Sequence, residues 1–257
     1  MRFCSWRPEL IDIEKLQRFF EIGDDCVKAV NDMTLQIAEG EFVAIMGPSG
    51  SGKSTLLYVI GAMDQPTGGT ISISGKRLDL MTDKERSRFR NKSLGFVFQS
   101  FHLLSRIDLI RNAELPMIYG DVGADRRRGR AIALLKAVGL GDRMDRKPTE
   151  LSGGQCQRAA IARALVNNPH ILLADEPTGN LDSKTGEEIV ALFQALNRAG
   201  MTVVMVTHDL RMAQHACKIV HMKDGKLESI EKVEEPLQSF LSPEVEASLQ
   251  EVVNEAV

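Results

Sequence analysis

Four short runs of the chain are apolar at almost every position: "EFVAIMG" (Glu41 to Gly47), "LGFVFQ" (Leu94 to Gln99), "ILLADE" (Ile171 to Glu176) and "TVVMVTH" (Thr202 to His208). Runs this short and this uniformly apolar predict strands buried on both faces. Between them "KSTLLYVIGAM", "GRAIALLKAVGL" and "KTGEEIVALFQALNRAG" read as helical segments. Strands alternating with helices predict an α/β fold on a mainly parallel sheet, with helices on both faces. In such folds ligands sit outside the carboxyl ends of the strands, which is where the polar residues closing these runs fall.

Two stretches break the alternation. "GGTISISGKRL" alternates between glycines and predicts a hairpin in an antiparallel β layer. The section from about Phe101 to Glu150 is mostly helical and predicts a helical lobe, reaching to about residue 165, inserted between core strands. From Glu228 onward there are eight Glu and one Lys. Ser242-Pro243 reads as a helix start, after which Val245, Leu249, Val252 and Val253 share one face. The expected organisation is therefore one domain over 10–227 and an acidic, partly helical tail over 228–257 that packs on the protein.

Composition narrows the function classes. A net charge of −3 supplies no global field toward nucleic acid or anionic lipid. Cys4, Cys26, Cys156 and Cys217 form no CxxC pair and read as reduced thiols, not as a disulfide frame or zinc site. No apolar run approaches the roughly 20 residues that span a bilayer. "MRFCSWRPEL" lacks the apolar stretch of a secretory signal. The expectation is a cytosolic chain whose membrane role, if any, comes through a partner.

The chemistry begins at "GPSGSGKST" (Gly47 to Thr55), which follows a strand and opens a helix. Gly47, Gly50 and Gly52 let the backbone N–H groups of Ser49, Ser51, Ser54 and their neighbours wrap phosphates, helped by the helix N-terminus. Lys53 is placed to neutralise β- and γ-phosphates and the Ser54 hydroxyl to bind Mg²⁺. In "ILLADEP", Asp175 ends a buried strand, where a lone carboxylate is costly without a cation; a water-bridged Mg²⁺ would supply it. Glu176, one residue on, points elsewhere and suits the general base. Gln99 and His208 also close apolar strands. Either alone reads equally as a strand cap, but at the same edge Gln99 would reach Mg²⁺ and the attacking water. His208 would reach the γ-phosphate and Glu176.

A second Ser-Gly-Gly turn, Ser152, Gly153 and Gly154 followed by Gln155, heads the helix "QCQRAAIARAL". It is another anion-binding N-terminus, or simply a helix cap in a tight turn. A site with a complete cradle has no use for it on the same face. One resolution is that it caps an ATP held by a second copy, two chains facing head to tail around two ATPs.

Phosphate loop, Gln99, "LSGGQ", "LLADEP", "GNLD" and "VTHD" follow one another in an order and spacing that resembles ATP-binding cassette (ABC) ATPases, from about Leu10 to Leu227. The resemblance implies a P-loop NTPase cassette that closes as a homodimer around ATP and Mg²⁺ and passes its motion to a polytopic membrane permease. It implies that Asp182 of "GNLD" lies in the loop crossing the dimer interface, and that Phe20 stacks on adenine. "FVFQSFHLL", "ELPMIYG" and "DEPTGNLD" look most like the subgroup serving lipoprotein release, macrolide export and cell-division signalling. Its implied place is the cytoplasmic face of the inner membrane, peripheral, touching the membrane only through the permease. Cys156 stands where that subgroup has Arg or Gln, which implies an altered surface or interface contact. Ser105 replaces a frequent Pro.

The basic runs "KERSRFRNK" and "DRRRGR" lack stacking aromatics beyond Phe89 and read as solvated helix faces, so no nucleic acid is expected. The second also suits loops of a membrane subunit. The competing functions are a cassette regulating cell-wall enzymes through a membrane partner, or a soluble ATPase of the DNA-repair or translation type. Only 99 positions separate Lys53 from Ser152, too few to hold a long coiled coil, and there is a single cassette. Both facts disfavour the soluble versions.

Overall fold

A computed structural model describes residues 9–23 and 25–254; Cys4 and the rest of the opening segment lie outside the described residues. In chain order the elements are β1 (Glu9–Ile22), β2 (Asp25–Ala38), β3 (Phe42–Met46), α1 (Lys53–Ile60), β4 (Gly68–Ile73), β5 (Lys76–Arg77), α2 (Asp83–Ser93), β6 (Leu94–Phe98), α3 (Leu109–Ile118) and α4 (Ala124–Ala137). There follow α5 (Gly153–Leu165), β7 (Ile171–Asp175), α6 (Ser183–Arg198), β8 (Thr202–Val206), α7 (Leu210–Ala213), β9 (Lys218–Lys223), β10 (Lys226–Lys232) and α8 (Pro243–Asn254).

The core sheet runs β10-β9-β3-β8-β7-β6, parallel from β9 to β6, with β10 antiparallel at the edge. β3, β7 and β8 are buried at every position, and alternate residues feed two separate cores. Val43, Ile45, Leu173, Val204 and Val206 face a core shared with α1 and the second sheet. Ala44, Met46, Leu172, Ala174, Val203 and Met205 face α5, α6 and the helices beyond. This period-two division explains why the sequence shows unbroken apolar runs.

The second sheet, β2-β1-β4-β5, is antiparallel. The β4–β5 hairpin is the one expected from "GGTISISGKRL". The long β1–β2 ribbon was not among the expected strands: Leu10 and Ile11 are buried in succession, and the register shifts four times between Glu9 and Phe19. Bulges of this kind erase the alternation that marks a strand in sequence.

α3, α4 and α5 form the lobe, and its apolar side chains are continuous with the core beneath that face of the sheet. "KERSRFRNK" belongs to α2, which opens with a reciprocal capping box between Thr82 and Glu85 and buries only Arg86 and Phe89. In α4, Arg126 and Arg128 are exposed, whereas Arg127 donates to the Val122 carbonyl at 2.5 Å and Arg130 to that of Val252 at 2.7 Å.

Beyond β10, a strap is pinned to the core. Gln194 Nε2 donates to the carbonyls of His215 and Leu237, its Oε1 accepts from Ser239 N, and His215 Nε2 lies 2.9 Å from Ser239 Oγ. α8 then packs on both α4 and α6, burying Leu249 and Val252 and pairing Glu246 with Arg198 at 2.6 Å. Leu249→Ala removes a side chain that is 1 % exposed and should cost about 2–5 kcal/mol. At this chain length that is a fall of about 5 °C or more in Tm, read by thermal denaturation, with ATP hydrolysis at 25 °C kept.

Candidate functional site

β3, β6, β7 and β8 end at one edge of the sheet, and the chain beyond each carries a polar group to it. After β3 the loop turns through left-handed backbone at Gly50 (φ 79) and Gly52 (φ 92). A Cβ on Gly52 would also run into the Ala29 carbonyl of β2, so that position requires glycine for space as well as conformation. The loop delivers Lys53 at the first turn of α1, 7 % exposed. Its Nζ folds back to donate to the carbonyls of Gly47 (2.9 Å) and Pro48 (2.8 Å).

Asp175 and Glu176 diverge as expected. Asp175, 9 % exposed, turns toward α1, where Ser54 Oγ donates to Oδ1 (2.9 Å) and Tyr58 Oη to Oδ2 (2.8 Å). Burial and then the Asp175 carboxylate push the Tyr58 phenol up to about 12, further from ionisation than an ordinary phenol. Glu176 has φ 46, a left-handed conformation that a non-glycine residue holds at a cost. Its amide is fixed by the Val206 carbonyl (3.0 Å), and its Oε2 lies 2.8 Å from His208 Nδ1. The strained residue swings one carboxylate away from its neighbour's partners.

A cleft of about 750 Å³ is lined by Ser49, Gly50, Gly52, Lys53, Ser54, Thr55, Glu176 and His208 and walled by Val27, Lys28 and Ala29 of β2 and by Asp224 and Gly225; Asp175 lies behind its lining, reached through Ser54. The walls come from the β9–β10 turn, for which the sequence carried no expectation, and from the ribbon, where it pointed only to Phe20. Tyr58 was missed too. It stands four residues after Ser54 on one helical face, but only the approach of Asp175 gives that spacing a meaning.

Other expected residues lie elsewhere. Gln99 is turned to Asn180, with Nε2 3.3 Å from Asn180 Oδ1 and its carbonyl accepting from Asn180 Nδ2 (3.1 Å). Phe20 pairs with Val27 across the ribbon and carries the Arg18 guanidinium 4.2 Å above its ring. Gly47 and Ser51 shape the loop from beneath: a Cβ on Gly47 would meet the Met222 carbonyl, and Ser51 is buried.

Ser152, Gly153, Gly154 and Gln155 do not line the cleft. Ser152 Oγ accepts from Gln155 N, and Gln155 Oε1 accepts from Ser152 N, a reciprocal cap on α5. Gly153 faces Leu181, and Gly154 is pressed against the Thr185 side chain. Asp182 caps α6 through the amide and hydroxyl of Thr185 (3.0 and 2.6 Å), bonds that hold its carboxyl below the usual range. The turn and the "GNLD" loop are thus neighbours. Gln157, fully buried, ties α5 to the segment after Glu176 by donating to the Pro177 carbonyl (2.7 Å). The expectation for Cys156 is overturned: it is 6 % exposed, its thiol donates to the Pro148 carbonyl, and burial pushes it up. It fills the interior beneath the turn, not a surface.

Among the described residues no group of three His, Cys, Asp or Glu side chains is placed to hold a metal. The Ser54 hydroxyl and Asp175 carboxylate, 2.9 Å apart, are oxygen donors of the kind a hard dication takes when phosphate and water complete its shell. The residues present fit Mg²⁺ bound with a nucleotide.

The family profile "ABC transporter" matches residues 30–179. An uncharacterized ABC transporter ATP-binding protein of Thermotoga maritima is 50% identical over 87% of this chain and 94% of that protein. A macrolide export ATP-binding/permease protein of Chlorobium phaeobacteroides is 48% identical over 87% of this chain, which spans 34% of that longer protein. Among solved structures, a dimeric ATP-binding cassette in a post-hydrolysis state bound to ADP and Pi superposes with a TM-score of 0.82 at 44% identity, covering 88% of this chain and all of that one.

Proposed function

The chain belongs to the ABC transporter family, an ATP-binding ATPase by its cassette, and from that premise we propose the finer reading. Two copies close around two ATP molecules with Mg²⁺ and drive a separate polytopic membrane protein, for export or for transmission of motion across the membrane. The observation that carries it is the divergence of Asp175 toward Ser54 and Glu176 toward His208, with Ser54, Glu176 and His208 lining one cleft.

Lys53 exchanges its loop carbonyls for β- and γ-phosphate oxygens, and Ser49 to Thr55 wrap the phosphates with their amides. Ser54, Asp175 and Gln99 hold Mg²⁺, for which Gln99 turns away from Asn180. Bound there, the ion neutralises phosphate charge. Glu176 accepts the proton of the attacking water, and His208, bonded to Glu176 through Nδ1, keeps that carboxylate aimed and has Nε2 left for the γ-phosphate. Phe20 takes adenine on the face that Arg18 leaves open.

Ser152, Gly153, Gly154 and Gln155 serve the partner copy's ATP, and Asp182 crosses to the partner beside them. Their position outside their own cleft supports this, as does the dimeric state of the related cassettes. The cassette domain proposed for 10–227 continues through β10 to Lys232, because that strand is paired into the sheet.

Among the described residues no helix is long and apolar enough to cross a membrane. The macrolide relative names a permease in the same chain, which supports a permease as a separate partner here. Leu104, Ile118 and Tyr119 of the lobe, 52%, 46% and 80% exposed, suit its docking. Purifying the Glu176→Gln chain with ATP from detergent-solubilised membranes should bring down a multi-span membrane protein in stoichiometric amount. Recovery of soluble protein or nucleic acid alone would overturn the transport reading.

A further inference from the structure

Both oxygens of Asp175 are engaged, and both donors come from one face of α1. Ser54 Oγ reaches Oδ1 at 2.9 Å and Tyr58 Oη reaches Oδ2 at 2.8 Å. The metal reading accounts for the serine; nothing in it requires the tyrosine. A carboxylate held through one oxygen can still turn about its Cβ–Cγ bond, whereas donors on both oxygens fix its plane. At 9 % exposure, water is a poor substitute for either donor.

We propose that Tyr58 is a positioning residue of the catalytic site: its hydroxyl occupies Oδ2 of Asp175, so that Oδ1 alone is presented on the Ser54 side where Mg²⁺ would sit. The inference rests on the reading of Ser54 and Asp175 as the metal side of the site. With Tyr58 in place the carboxylate is oriented before the metal arrives. Without it, Oδ2 is buried and unpaired, the group turns to find a donor, and metal binding has to restore its orientation. Tyr58 does not line the cleft, so its contribution falls on the metal and not on the nucleotide cradle.

The test uses Mn²⁺ as the probe, its free hydrated form followed by electron paramagnetic resonance, on the full chain saturated with a non-hydrolysable ATP analogue. Wild type, Tyr58→Phe, Asp175→Asn and the double variant are compared, and analogue affinity is also measured in chelator. Tyr58→Phe should weaken Mn²⁺ by about tenfold, the loss of one hydrogen bond to a charged group. Metal-free analogue affinity should stay within about twofold, since no cradle contact is lost. In the Asp175→Asn background the same change should add nothing, because Tyr58 acts only through Asp175. In steady state the Mg²⁺ half-saturation should rise while kcat at saturating Mg²⁺ holds.

If Asp175→Asn weakens Mn²⁺ and Tyr58→Phe does not, the positioning role is overturned and the metal reading stands. If Asp175→Asn has no effect, the metal reading itself fails. Equal loss of metal-free and metal-bound affinity in Tyr58→Phe would make the tyrosine a support of the whole loop and overturn the proposal.

Discussion

Glu176→Gln should lower the rate of ATP hydrolysis by about 10²–10⁴-fold, the usual contribution of a positioned general base, while ATP still binds. The amide is nearly isosteric, so the left-handed backbone at φ 46 and the contact with His208 can both persist. Only the ability to take a proton is lost. Because hydrolysis is what would reopen a closed pair, the variant should also run as a dimer in ATP and as a monomer in ADP on size-exclusion chromatography. Turnover near the parent rate would remove Glu176 from the base's role. Turnover lost with no ATP-dependent dimer would instead count against the two-copy sandwich.

Lys53→Ala should weaken ATP by about 30-fold or more, the effect of truncating one partner of a hydrogen-bonded charge pair at about 2–5 kcal/mol. The fold should hold. Among the described residues the ammonium donates to the carbonyls of Gly47 and Pro48 alone, at a loop that borders the cleft and not the apolar core. Isothermal titration calorimetry with ATP in chelator gives the affinity, and a thermal scan gives the control. Lys53→Arg, which keeps the charge but not its compact reach, should recover part of the loss. Affinity unchanged in the alanine variant would mean that the backbone cradle alone holds the phosphates.

Much of this site was legible because it is built from short, local signals. The apolar runs at β3, β6, β7 and β8 each end in the residue that the sheet brings to its common edge. A strand is buried on both faces only when the whole run is apolar, so the sequence reports the burial directly. The glycines of the phosphate loop are required by backbone angles that few other residues adopt, so they too are visible without a structure. The diverging directions of Asp175 and Glu176 follow from their adjacency at a strand end. The apolar face of α8 follows from its spacing.

What remained hidden depends on pairs far apart in the chain. Tyr58 looks like any half-apolar helix residue until β7 places a carboxylate beside it, 117 positions away. Val27, Lys28, Asp224 and Gly225 became cleft walls only once the bulged ribbon and the β9–β10 turn met the phosphate loop. Cys156 stands where the subgroup has Arg or Gln, which implies a surface or interface contact, yet the helix carries it under Pro148. By itself the sequence determined the strands β3, β6, β7 and β8, the helices between them and a glycine-rich loop of the kind that cradles phosphate, since these follow from local periodicity and backbone preference. The tertiary structure alone decided which buried oxygen meets which hydroxyl and which surface the acidic tail covers, because packing joins residues whose separation in sequence carries no local signal.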